Sequence, residues 1–151
     1  MHRKHLKIAV MLLALLGTLF STAQASAAPA GENGTTGTVT RMAPVPADGR
    51  VNCYNYWGTF KTGTYVMVVD WVTTVDECFG IAPDRTIWHA WPGSGGWKRM
   101  PGNGRADHMY TDIVEWSDGV RTVPVFVGSG SYWCQNYYPG AGWEGVWYRC
   151  G

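Results

Sequence analysis

The sequence predicts an all-β fold, and three observations carry that expectation. From residue 50 onward no window longer than about ten residues keeps apolar groups at helical spacing without a Gly or Pro break. Short β-branched and aromatic runs alternate with Gly, Pro, Asn and Asp punctuation instead. Four Cys in a chain of 151 residues allow two disulfides to staple a small domain. The expected architecture is disulfide-stapled antiparallel sheet built from repeats. It is either propeller-blade-like or a small barrel, trefoil-like or otherwise.

The first segment is read as a targeting signal. His2-Arg3-Lys4-His5-Leu6-Lys7 is basic, Ile8 to Phe20 carries no charge, and Ala23-Gln24-Ala25 and Ala25-Ser26-Ala27 are small-x-small cleavage sites. The run is too short for a membrane span. Residues 1–27 are therefore expected to be a signal peptide, cleaved near Ala25 or Ala27, and the product to be secreted. Removing 27 of 151 residues leaves 124. Nine Lys/Arg then face eleven Asp/Glu, a balance of −2. A nucleic-acid or anionic-membrane partner has no electrostatic support from that balance.

Residues 28–48 are rich in Gly, Thr, Ala and Pro and are expected to form a flexible leader, with Thr38 to Met42 able to add an edge strand. The domain proper is expected over 49–151. Its predicted strands are Val51 to Trp57, Tyr65 to Thr73, Val75 to Ile81, Thr86 to Trp91, Met109 to Trp116, Val120 to Val127, Ser131 to Tyr138 and Trp143 to Arg149. Ser117-Asp118-Gly119 has the chemistry of a tight hairpin turn. Pro124 lacks an N–H and is expected to place its strand at an edge or a bulge. The pairing Cys53–Cys78 and Cys134–Cys150 is favoured because each closes a short loop and neither crosses the other. Each would contribute about 3 to 3.5 kcal/mol through the unfolded state. The Cys spacings of 25, 56 and 16 contain no close pair, so no metal site is expected, and no cofactor.

An internal repeat organises these strands. At an offset of 45, Tyr65 falls on Tyr110, Val69-Asp70-Trp71 on Val114-Glu115-Trp116, and Trp88 on Trp133. With one inserted residue, Gly96-Trp97 meets Gly142-Trp143. The copies occupy 62–106 and 107–151, with a partial copy at 49–61, where Cys53-Tyr54-Asn55-Tyr56 resembles Cys134-Gln135-Asn136-Tyr137. A period of this size made of four short strands suits a propeller blade.

Asp84-Arg85-Thr86-Ile87-Trp88-His89-Ala90-Trp91, followed by Gly95-Gly96-Trp97 and Met100-Pro101-Gly102, resembles one repeat of the tectonin-like bacterial propeller lectins. The resemblance covers about 20 residues well and the second copy more weakly. It implies a noncatalytic protein that recognises sugars in pockets between blades. The second copy departs from it, with Cys134 in place of His89 and Asn136 in place of Trp91. Fewer than three units also fall short of the roughly four blades a propeller needs. Either chains assemble as a homo-oligomer, or the fold is a small barrel or sandwich.

The aromatic residues suggest what the surface does. Nine Trp, eight Tyr and three Phe remain after residue 27, more than so small a domain readily hides. Indole and phenol faces stack on the C–H face of a sugar, and polar neighbours bond its rim. Trp88, Trp133, Trp71 and Trp116 are expected in the core. Trp97 and Trp143 follow strands in Gly-rich loops and are the first binding candidates. Tyr137 and Tyr138 form a similar platform. His89 and Trp91 share the strand face opposite Trp88 and complete the ligand-binding set, although His89 itself reads as a packed, hydrogen-bonded histidine. No nucleophile motif accompanies His89 or His108, and Ser94 and Ser129 sit in flexible turns. Asp76-Glu77 and Asp112 with Glu115 are unspecific carboxylates, and Asp70 and Glu115 are expected at solvent-facing blade edges. The reading is a secreted, noncatalytic carbohydrate-binding, lectin-like module that takes a glycan or cell-wall polysaccharide. Its alternative is a secreted protein-interaction module, an inhibitor or antimicrobial factor.

Overall fold

The structure, a computed structural model, describes residues 38–151 apart from Ser129. The expected signal peptide, and the leader as far as residue 37, lie outside the described residues. No helix occurs among the described residues, and the all-β expectation holds.

Seven strands come first: β1 (Thr38–Pro44), β2 (Arg50–Cys53), β3 (Tyr56–Thr59), β4 (Tyr65–Asp70), β5 (Glu77–Ile81), β6 (Ile87–Ala90) and β7 (Lys98–Arg99). Six follow: β8 (His108–Met109), β9 (Val114–Glu115), β10 (Arg121–Val127), β11 (Ser131–Tyr138), β12 (Gly142–Trp143) and β13 (Tyr148–Arg149). Sheet I runs β1-β4-β5-β6-β7. Sheet II runs β12-β11-β10-β8, with β9 also on β10 and β13 also on β11. β2 and β3 form a separate hairpin. Every pairing is antiparallel.

The repeat is visible in the registers. Phe79 pairs with His89, Gly80 with Trp88 and Ile81 with Ile87. Adding 45 gives Pro124 with Cys134, Val125 with Trp133 and Phe126 with Tyr132, which are the observed pairs of β10 and β11. Val69–Glu77 likewise becomes Val114–Thr122. The match stops at the fourth strand. Trp88 faces Arg99 across β6 and β7, but Trp133 faces Arg149 across β11 and β13, with β12 pairing further along at Tyr137 and Tyr138. The fourth strand of the second meander is thus split in two.

The units stack in three layers. One apolar cluster holds Met67, Val69, Phe79, Ile81 and Ile87 of sheet I with Met109, Ile113, Val123 and Val125 of the second meander, and Trp133 packs against it. The other holds Val66, Val68 and Cys78 with Val51, Cys53 and Phe60, and Trp88 packs against that one. Sheet I is therefore covered on both faces, which explains the unbroken apolar run Val66–Val69. Trp88 and Trp133 are equivalent, yet Trp88 points back to the hairpin and Trp133 back to sheet I. Each unit lays its front on the back of the next, the heterologous arrangement of repeats. Large side chains here, such as Phe79 and Ile81, contribute about 1.5–3 kcal/mol each by burial.

Several expectations need correction. The span 28–48 is not all leader: Thr38–Pro44 forms β1 along the edge of sheet I, where an edge strand over Thr38 to Met42 is expected, with a bulge between Val39 and Arg41, and Val45 is buried. Val51 to Trp57 is not one strand. Tyr54 and Asn55 have φ of 51° and 68°, which is a two-residue hairpin turn of the primed type, and Asn55 N donates to Asn52 Oδ1 at 3.1 Å. Met109 to Trp116 and Trp143 to Arg149 are each interrupted. Pro124 lies in a central strand rather than at an edge. Its carbonyl accepts from Tyr110 N at 3.2 Å, so its missing N–H faces the same side, into the break between β8 and β9. The bulge is in the neighbour. Trp88, Trp116 and Trp133 are half-buried rather than core, whereas Trp71 is buried as expected. The Asp118-Gly119 turn forms as read, with Val120 N donating to Asp118 Oδ1 at 3.0 Å and Gly119 at φ 80°.

Both disulfides are the expected ones. Cys53–Cys78 ties the hairpin to β5, and Cys134–Cys150 ties β11 to the chain end. Asp107 is a further joint. Its carboxylate accepts from Gly128 N at 2.8 Å and pairs with Lys61 at 3.2 Å and Arg85 at 3.0 Å. The Gly128 N–H is the main cause holding its carboxyl below the usual range, with Lys61 and Arg85 adding to it and burial opposing.

Two outcomes are expected. A β-carbon on Gly80 would meet the Phe60 ring at 2.6 Å, so Gly80→Ala should cost about 1–3 kcal/mol in urea unfolding. Asp107 contributes stability above its unfolded value of about 3.9, and that contribution is lost as pH falls through its lower folded value. Asp107→Asn should therefore flatten the stability profile below about pH 4.

Candidate functional site

The buried charges of this domain meet at one end of the layer between the two meanders. Glu77 opens β5, His89 lies opposite Phe79 on β6, Glu115 is on β9 and Arg121 opens β10. All four side chains are nearly buried. Strand alternation points them the same way as the core residues Phe79, Ile87 and Val123.

Arg121 is the centre of the group. Its Nε lies 3.4 Å from Glu115 Oε1 and its guanidinium 3.8 Å from Glu77 Oε2, and it donates to Thr74 Oγ1. Its charge sits between two rings, 4.7 Å from the Trp71 centroid and 4.8 Å from that of Tyr137. Glu115 accepts from Val72 N at 2.5 Å and from the Thr73 hydroxyl. Glu77 accepts from Trp71 Nε1 at 3.0 Å and bonds His89 Nδ1 at 2.5 Å. An ionised carboxylate can only accept, so in this bond Nδ1 is the donor.

A cleft of about 390 Å³ opens over this network, within the ~300–1,000 Å³ range of small-molecule sites. Trp91, Trp143 and Tyr137 wall it, with Glu77, His89 and Arg121 below. Trp143 stands at 88° to His89 with centroids 5.9 Å apart, and at 65° to Tyr137 at 5.5 Å. His89 and Trp91 are 5.1 Å apart. These contacts hold the rings in place before any ligand arrives, which lowers the entropy cost of binding.

Four of the six residues read as ligand-binding thus converge: His89, Trp91, Tyr137 and Trp143. Trp97 does not. Its Nε1 donates to Tyr56 O at 3.1 Å and its ring meets Phe60 at 4.4 Å, so it lines a separate cleft with Trp57 and Trp88. Tyr138 is also outside, exposed at the end of β11, because alternation sends it to the other face from Tyr137. Glu115 was expected at a solvent-facing edge and is instead 1% exposed, while Asp70 is exposed as expected. Arg121 carries no expectation from the sequence, and Glu77 enters it only as an unspecific carboxylate. The available signal was a charged residue at the end of an otherwise apolar strand, in Glu77-Cys78-Phe79 and Arg121-Thr122-Val123.

No protein-family model, curated protein or solved structure matches the chain.

Removing Arg121 would leave two carboxylates buried without their cation. Arg121→Met is expected to cost about 3–5 kcal/mol in equilibrium unfolding, more than an exposed charge such as Arg50→Met.

Proposed function

We propose that this domain is an exported, noncatalytic carbohydrate-binding module, and that the Trp91–Trp143–Tyr137 cleft takes a neutral sugar ring. The observation that carries the reading is the convergence of three aromatic walls, one just past the end of β6 and the others on β11 and β12, on a polar floor. Indole and phenol faces cover the apolar side of a sugar ring, and the floor groups bond its hydroxyls. The charged atoms support binding rather than bond cleavage. Their bonds run mainly to one another, and Glu115 is not in the cleft lining, so two carboxylates do not flank a substrate there. Export accords with two disulfides in a small β domain, and among the described residues no helix is long and apolar enough to cross a membrane.

The protein-interaction reading rests on a different observation. Val75, on the cleft rim, and Val72 are 53% and 65% exposed, an apolar margin of the kind protein partners cover.

Titration of the protein with a panel of neutral oligosaccharides, followed by Trp fluorescence, tests the first reading. Binding is expected, with Trp143→Ala weakening it at least about tenfold while far-UV circular dichroism is unchanged. No response across the panel, together with a protein partner captured through Val72 and Val75, would favour the second. Export is checked by the N-terminus of the product in culture supernatant, expected at Ser26 or Ala28.

A further inference from the structure

The layer between the two meanders has a second open end, and its chemistry is different. A cleft of about 410 Å³ lies there, walled by Trp133 and Trp147, with Arg85, Arg105 and Ser131 at its margin. The walls are fixed. Trp147 Nε1 donates to Pro101 O at 3.1 Å. Its indole lies so close to the backbone at Gly104 that a β-carbon there would meet it at 2.4 Å. Trp133 packs against the core. Arg85 is held on Asp107, and it adopts a left-handed φ of 69° that a side chain of its size rarely takes.

The charge of this end is positive. Arg85 and Arg105 line the cleft, Arg149 stands opposite Trp133 across β11 and β13, and Lys61 shares Asp107 with Arg85. Against these four cations stand two carboxylates, Asp107 and Asp84. Asp107 is already shared by two of the cations. Arg105 has an exposed side chain and, among the described residues, makes no side-chain hydrogen bond or close ion pair; the carboxylate that feels its charge is Asp84. The excess is local, because residues 38–151 carry nine Lys/Arg and ten Asp/Glu.

We propose that the Trp133–Trp147 cleft binds an acidic saccharide, a uronic-acid unit whose ring lies against the indoles and whose carboxylate is taken by Arg105. A guanidinium presents two parallel N–H donors that match a carboxylate, and Arg105 has both to offer. Ser131 supplies a hydroxyl for the sugar rim. A long polyphosphate fits less well, because it would leave the basic margin and run over a net acidic surface. This assignment does not rest on the neutral-sugar cleft and stands or falls separately from it.

Calorimetric titration of the intact domain with trigalacturonate and with its methyl ester tests the proposal. The acid is expected to bind at least roughly tenfold more tightly than the ester. Arg105→Gln should abolish that preference without changing the unfolding midpoint, and Trp147→Ala should weaken both ligands. Equal binding of acid and ester would overturn the proposal, as would an unaltered preference in Arg105→Gln. Displacement of the saccharide by inorganic phosphate or a short oligonucleotide at equal concentration would also overturn it, by showing a general anion site.

Discussion

Arg121 is buried between two carboxylates and two aromatic faces, and its position sets those of its neighbours. Burying a guanidinium costs several kcal/mol in lost hydration, which only close partners can offset. Glu77 comes from the first meander, Glu115 from the second, and Thr74 from the connection between β4 and β5. A charge that needs all three holds the two sheets in one relative placement. Apolar contact alone is less selective, because a core of Val, Ile and Phe tolerates small slides. The network therefore positions Tyr137 through the guanidinium and His89 through Glu77.

The front-to-back stacking of the units has a functional result. Each interlayer has ends where the strands stop and side chains of two units face each other across a gap. The layer between the meanders has an aromatic end over buried charge and a basic end over Trp133 and Trp147. The layer between the hairpin and sheet I has a third gap at Trp57, Trp88 and Trp97. Copies of one pattern thus yield recesses with different chemistry, because the turns that edge them differ.

Much of this was legible in the sequence. Strand alternation placed His89 and Trp91 together and apart from Trp88, and the 45-residue offset anticipated the hairpin registers. The two disulfides followed from spacing. What failed to show has specific causes. The Tyr54-Asn55 turn hides because Tyr is a poor signal for positive φ. The Pro124 expectation failed because the neighbouring strand, not its own, supplies the gap. Glu115 looked like a surface charge because its partners Val72, Thr73 and Arg121 become neighbours only after folding. Trp97 and Trp143 fell at matching places in the repeat, but only Trp143 is at the charged cleft. The split fourth strand, which places Arg149 rather than Gly145 beside Trp133, breaks the symmetry of the 45-residue repeat.

The order of the disulfides matters for how the chain is made. Four cysteines can pair in three ways, and this domain uses the one in which each joins its nearest neighbour in sequence. A chain synthesised from its N-terminus presents Cys78 when Cys53 is its sole earlier partner. The pair can close before Cys134 exists, and the remaining two then have no wrong choice. An oxidase that joins cysteines in order of appearance would reach the native connectivity without a reshuffling step. The same connectivity lets the hairpin be fastened to β5 while the second meander is still being made.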